Sequence, residues 1–150
     1  MAGGKVQKAL NVIAMTFVAT FAGIWLWVAW KVARYIPTDT AKTYPMSGPL
    51  ATTAGFLAAT VGAGTASVLG ITIADTKGKT QTTFGARLAE AGKDSPLLIT
   101  GILVYFFVGI AILLVWLANP DEAPDAINVF ALGALGWAGG AFTAVFKAPS

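Results

Sequence analysis

The chain contains no cysteine and no histidine. Those two zeros exclude disulfides, thiolate chemistry, iron–sulfur clusters and histidine-ligated haem, and they remove most zinc sites and the commonest general base. Without thiols, the redox compartment stays open. Charge is scarce too: of 150 residues only 11% are charged, ten basic and seven acidic, where ordinary soluble domains carry about 25%. Apolar residues take that place, at 56% of the chain and a mean hydropathy of +0.71. Such a composition belongs to a membrane protein.

The apolar residues gather into four runs. Residues 9–30, "ALNVIAMTFVATFAGIWLWVAW", and 49–74, "PLATTAGFLAATVGAGTASVLGITIA", contain no charge, nor do 96–118, "PLLITGILVYFFVGIAILLVWLA", and 126–146, "AINVFALGALGWAGGAFTAVF". Each is close to the roughly 20 residues that a helix needs to cross a hydrocarbon layer about 30 Å thick. The expected fold is an all-α integral membrane protein: one domain over 1–150, with four transmembrane helices at about 9–36, 48–74, 95–118 and 126–146. The first run exceeds the apolar core of a signal peptide, about 7–15 residues, and is followed by Lys31 and Arg34 rather than a small-residue cleavage site. It is expected to stay in the mature chain.

Punctuation supports these limits. Pro37 stops the first helix, because proline inside a helix removes a hydrogen bond and clashes with the preceding turn. Asp94-Ser95-Pro96 reads as a cap with proline at the first helical position. Asn119-Pro120 closes the third helix, and Asp125 is placed to cap the fourth. Connections of these lengths make antiparallel neighbours, so an antiparallel bundle is expected. With both termini in the cytoplasm, Lys5, Lys8, Lys77, Lys79, Arg87, Lys93 and Lys147 fall inside and Lys31, Arg34 and Lys42 outside. Positively charged loops favour the cytoplasmic side, so N-in and C-in is expected. Trp25, Trp27, Trp30 and Trp116 then form an outer aromatic belt. A bacterial cytoplasmic membrane is the expected location.

The stretch "AGFLAATVGAGTASVLG", residues 54–70, superficially offers a nucleotide loop. A dinucleotide fingerprint needs Gly-x-Gly-x-x-Gly between strand and helix, yet Ser67 stands at the third glycine, inside an uncharged run of 26 residues. Gly78-Lys79-Thr80 mimics the end of a phosphate loop, but Ile73 occupies the place of its first glycine. Nucleotides are not expected ligands.

A packing reading fits better. At about 100° per residue, Gly55, Ala59, Gly62, Ala66 and Gly70 form one stripe of the second helix, and Leu57, Val61 and Val68 form a bulkier face. Gly133, Gly136, Gly140 and Ala144 repeat the device on the fourth. Small faces let helix backbones approach closely, which is how membrane helices associate when lipid is as apolar as the partner. They serve either to close one monomer or to join several. Beside the first stripe runs a hydroxyl row, Thr53, Thr60 and Ser67. It is a candidate polar lining in an oligomer, although bonding back to the helix's own carbonyls is the commoner use. Asn11 and Asn128 lie near helix ends, where an interfacial position accounts for them.

None of the four cores holds Asp, Glu, Lys or Arg. Ion-coupled transporters and voltage sensors usually place such groups in the membrane, so both are disfavoured, as is intramembrane hydrolysis. No catalytic residue, cofactor or metal is expected. The inner connection "DTKGKTQTTFGARLAEAGKDS" places Phe84, Leu88 and Ala91 at helical spacing, an amphipathic segment suited to a membrane surface or a partner. Its four bases and three acids leave one net positive charge, which does not point to nucleic acid.

This plan of four charge-free spans in a small chain resembles that of small phage and bacterial membrane proteins, holins among them. The likeness covers the whole chain and rests on no specific motif, and the tail "KAPS" departs from the basic tail usual in holins. It implies an oligomer-forming, non-enzymatic protein that permeabilises membranes. The expected partners are the lipid bilayer and either further copies of the chain or other membrane subunits. The alternatives are an accessory subunit of a larger membrane complex and, more weakly, a carrier of a neutral or lipophilic solute.

Overall fold

The computed structural model describes residues 2–69 and 96–146. Gly70, the amphipathic segment around Phe84 and the basic inner connection lie outside the described residues. Four helices follow in order: α1 (Ala2–Ala33), α2 (Gly48–Leu69), α3 (Pro96–Ala118) and α4 (Asp125–Phe146). Among the described residues there is no β-strand, only an isolated bridge between Thr38 and Ala41. The helices α1, α3 and α4 are long and apolar enough to cross a membrane, over Gly4–Ala33, Pro96–Ala118 and Asp125–Thr143.

The helix ends follow local chemistry. The first helix starts at Ala2 rather than near residue 9 and stops at Ala33. Its last turn closes through Arg34 N–H to Trp30 C=O at 3.2 Å and a tighter bond from Tyr35 N–H to Val32 C=O at 3.0 Å. Ile36 precedes Pro37, and the residue before a proline is pushed out of helical geometry, so the helix ends before it. Pro96 opens α3 as the first helical residue. Asn119 closes that helix twice over: its backbone N–H and its side-chain amide both donate to Val115 C=O at 3.0 Å. Asp125 is the first residue of α4 rather than its cap. The carbonyl of Pro124 accepts from Ile127 N–H at 2.9 Å, and the Asp125 carboxylate acts on the helix dipole from within the first turn.

One apolar core joins the four helices. From α1 come Phe21, Trp25, Val28 and Val32, all fully buried, at the i, i+4, i+7 and i+11 positions that align on one face. Ala54, Leu57, Ala58 and Val61 enter from α2, Ile102, Tyr105, Val108 and Ile112 from α3, and Ile127, Phe130 and Ala131 from α4. The broadest contacts are α1 with α3 and α3 with α4, while α2 touches the other three. Aromatic side chains bridge α1 to α4: Trp25 and Phe130 have ring centroids 4.3 Å apart, and Phe21 and Phe130 5.8 Å.

Trp25 therefore leaves the expected aromatic belt. It is the largest fully buried side chain, and its indole N–H donates to Ala54 C=O on α2 at 3.0 Å. Position on the helix decides this. Trp25 shares the face of Phe21 and Val28, whereas Trp27 and Trp30 lie on the opposite side and are about half exposed.

The two connections at one end of the molecule are tied together. Tyr44 N–H donates to Glu122 C=O at 2.8 Å and the Thr43 hydroxyl to Asp121 C=O at 3.3 Å. Within the first connection, the Tyr35 hydroxyl donates to Ala41 C=O at 2.8 Å, and the rings of Tyr35 and Tyr44 meet edge to face.

Candidate functional site

Small residues from the expected stripes of α2 and α4 line one groove. Gly55, Ala58 and Ala59 form one wall, Ala126, Val129 and Gly133 the other, and Trp25, Tyr105 and Phe130 reach its floor. The groove has a volume of about 380 Å³ and is open on one side. A Cβ built on Gly55 or Gly133 would meet nothing within 4 Å. The two glycines thus leave open space beside themselves in the groove.

The members of each stripe have separate fates. On α2, Gly55 and Ala59 are exposed, Ala66 is half-buried and Gly62 is buried. Leu57 and Val61, the bulkier face, pack into the core at 5% and 7% exposure. A Cβ on Gly62 would lie 2.8 Å from the Tyr105 hydroxyl, so this glycine makes room for a neighbour within the monomer. On α4, Gly133 and Gly136 are exposed and Gly140 is half-buried. Gly136, like Gly133, has open space around its missing Cβ. Ala144 lies in the last turn of α4.

Two glycines of α3, absent from those stripes, face neighbouring helices. Gly109 is buried, and a Cβ there would stand 3.0 Å from the Ala134 Cβ. Gly101 is also buried, and a Cβ there would stand 3.8 Å from Val18 Cγ2. Their spacing of eight residues with Tyr105 midway puts all three on one face of α3. That spacing is readable in the sequence, but the bulky run around it conceals the signal.

The hydroxyls turn inward on their own helices. Thr60 donates to Phe56 C=O at 2.8 Å and Thr65 to Gly62 C=O at 3.0 Å. Thr16, Thr20, Thr100 and Thr143 likewise bond to the carbonyl four residues earlier. Bonding of this kind satisfies the hydroxyl within the helix, so it needs neither water nor a neighbouring helix. Thr53 is exposed on α2, and Ser67 lies near that helix's end. Thr60 and Thr65 also line a second, wider recess of about 620 Å³, walled by Ile13 and Phe17 of α1 and Leu97 and Gly101 of α3.

Asn11 is exposed and accepts from the Gln7 amide at 3.2 Å. Asn128 is half-buried, and its Oδ1 has no hydrogen-bond partner among the described residues.

Among the described residues the groove is lined by small, aliphatic and aromatic side chains. Its chemistry is that of dispersion and shape, the terms that govern helix association in lipid. No protein-family model, curated protein or solved structure matches this chain.

Proposed function

We propose that the chain is a non-enzymatic integral membrane protein of four antiparallel transmembrane helices that self-associates through the α2/α4 groove and permeabilises the membrane in the manner of a holin. In this reading α2 is the fourth span, since 22 residues rise about 33 Å. The tie between the 34–47 and 119–124 connections supports an antiparallel bundle, because it holds both at one end. Charge-free helix cores support a role without catalysis or ion coupling. The charge balance supports both termini in the cytoplasm of a bacterial inner membrane.

The observation that carries self-association is the groove itself. Its glycines face open space in the monomer, and a helix from another copy presenting its own small face would fill that space with close backbone contact. A second reading is an accessory subunit that docks on another membrane protein through the same groove. The Thr60 hydroxyl favours it, because its proton is committed to the Phe56 carbonyl of its own helix rather than to a water-filled path.

Dye leakage from liposomes containing the purified protein separates the two. The permeabilising reading expects leakage with a size cut-off, reduced at least tenfold by Gly133→Leu. Tight liposomes at high protein density would reject permeabilisation and leave the accessory role. A monomeric mass in mild detergent together with no cross-linked dimer in bilayers would reject self-association.

A further inference from the structure

We infer that the C-terminal half of α1 carries a binding site for one anionic phospholipid, with the headgroup phosphate at Lys31 and Arg34 and an acyl chain along the same helix face. The inference rests on the membrane reading above and concerns a different surface from the groove.

Two cations and two indoles converge there. The Lys31 ammonium lies 5.6 Å from the ring centre of Trp27 and 5.5 Å from that of Trp30, and the Arg34 guanidinium lies 5.2 Å from Trp30. Cation–π attraction holds these flexible side chains against the rings. Among the described residues, neither cation forms an ion pair with a carboxylate. Two positive charges thus sit against indole faces with no counter-charge among the described residues.

The four residues stand at i, i+3, i+4 and i+7, a single stripe of the helix. The stripe continues toward the N-terminus through Gly23, Thr20 and Thr16, all exposed. Gly23 has nothing within 4 Å of its missing Cβ, and both threonine hydroxyls are bonded back to the helix, to Thr16 C=O and Val12 C=O. Below the bulky indoles the face is therefore shallow and presents methyl groups and backbone. From Trp27 to Thr16 it runs about 16 Å, close to the half-thickness of a hydrocarbon layer of about 30 Å.

Charge complementarity selects the ligand. Trp at the headgroup level is usual for any span, but two cations without a carboxylate partner among the described residues, above a shallow face of acyl-chain length, favour an anionic lipid over a zwitterionic one. Each cation near an anionic membrane surface contributes about a fivefold effect on binding, so a preference of about tenfold or more is expected.

The test places the full chain in phosphatidylcholine bilayers and titrates brominated phosphatidylglycerol against brominated phosphatidylcholine, with tryptophan quenching as the readout. The wild type should show the tenfold preference. Lys31→Gln with Arg34→Gln should reduce it to within about twofold, whereas Lys5→Gln with Lys8→Gln, at the other end of α1, should retain most of it. Gly23→Leu should weaken quenching by long-chain lipid while leaving helicity unchanged. Equal quenching by both lipids in the wild type, or a preference surviving in the Lys31/Arg34 variant, would overturn the site. Loss of preference in millimolar inorganic phosphate would overturn a lipid ligand in favour of a general phosphate one. A chain that does not float with liposomes would overturn the membrane reading; one that floats without preference overturns this inference alone.

Discussion

Gly62 on α2 lies directly against the phenol of Tyr105 on α3, so close that a Cβ would stand 2.8 Å from the hydroxyl oxygen and 3.0 Å from Cζ. Gly62→Ala should therefore force the ring to move, at a cost of about 1–3 kcal/mol, the usual range for overpacking. Tyr105→Phe removes the nearest atom and should recover part of that loss. Unfolding titrations in detergent would measure the four corners of this cycle. Strict additivity of the two changes would show that the contact does not limit α2–α3 packing.

A second close approach predicts a compensating pair. Gly109→Ala places a methyl 3.0 Å from the Ala134 Cβ, and Ala134→Gly vacates that position. The single change should destabilise α3–α4 packing by about 1–3 kcal/mol, and the pair should restore most of it. Thermal unfolding of both variants checks the expectation, and an unrescued double variant would refute it.

Trp25→Phe keeps an aromatic ring in the core but deletes the 3.0 Å bond to Ala54 C=O. Interhelical hydrogen bonds in membranes contribute about 0.6–2 kcal/mol, and a modest loss in that range is expected. Trp27→Phe, on the exposed side of the same helix, should change stability far less. Equal effects of the two substitutions would contradict the buried position of Trp25.

Orientation gives a labelling prediction. Thr40 and Gln7 are both exposed, so cysteines introduced there are accessible whenever their side of the membrane is. With both termini cytoplasmic, Thr40→Cys should react with an impermeant maleimide in intact cells and Gln7→Cys should not. The opposite pattern would reverse the topology, and labelling of both would place α1 across no membrane at all.

The four helices and the apolarity of three of them were legible in the sequence, because helix length and apolarity are local properties. Pro96 at the first position of α3 and Asn119 at its end were legible from their backbone chemistry alone. The groove was legible only in part: glycine spacing marked Gly55 and Gly133, yet the same spacing included Gly62, which packs inside the monomer. Periodicity groups residues that share a face without saying what that face meets. It therefore could not separate a glycine that admits Tyr105 from one that leaves a space.

The tryptophans show the same boundary. Their clustering near the end of α1 suggested a belt, and Trp27 and Trp30 do stand exposed beside Lys31 and Arg34, but two residues earlier the helix has turned Trp25 through about 200° into the core. Composition and run length, acting through local helix formation and transfer from water, determined an all-helical chain with membrane-length apolar segments. Which faces pair, which glycines touch and which aromatic is buried were decided only in the tertiary structure, because those outcomes depend on the shape of the neighbouring helix, information that no single segment contains.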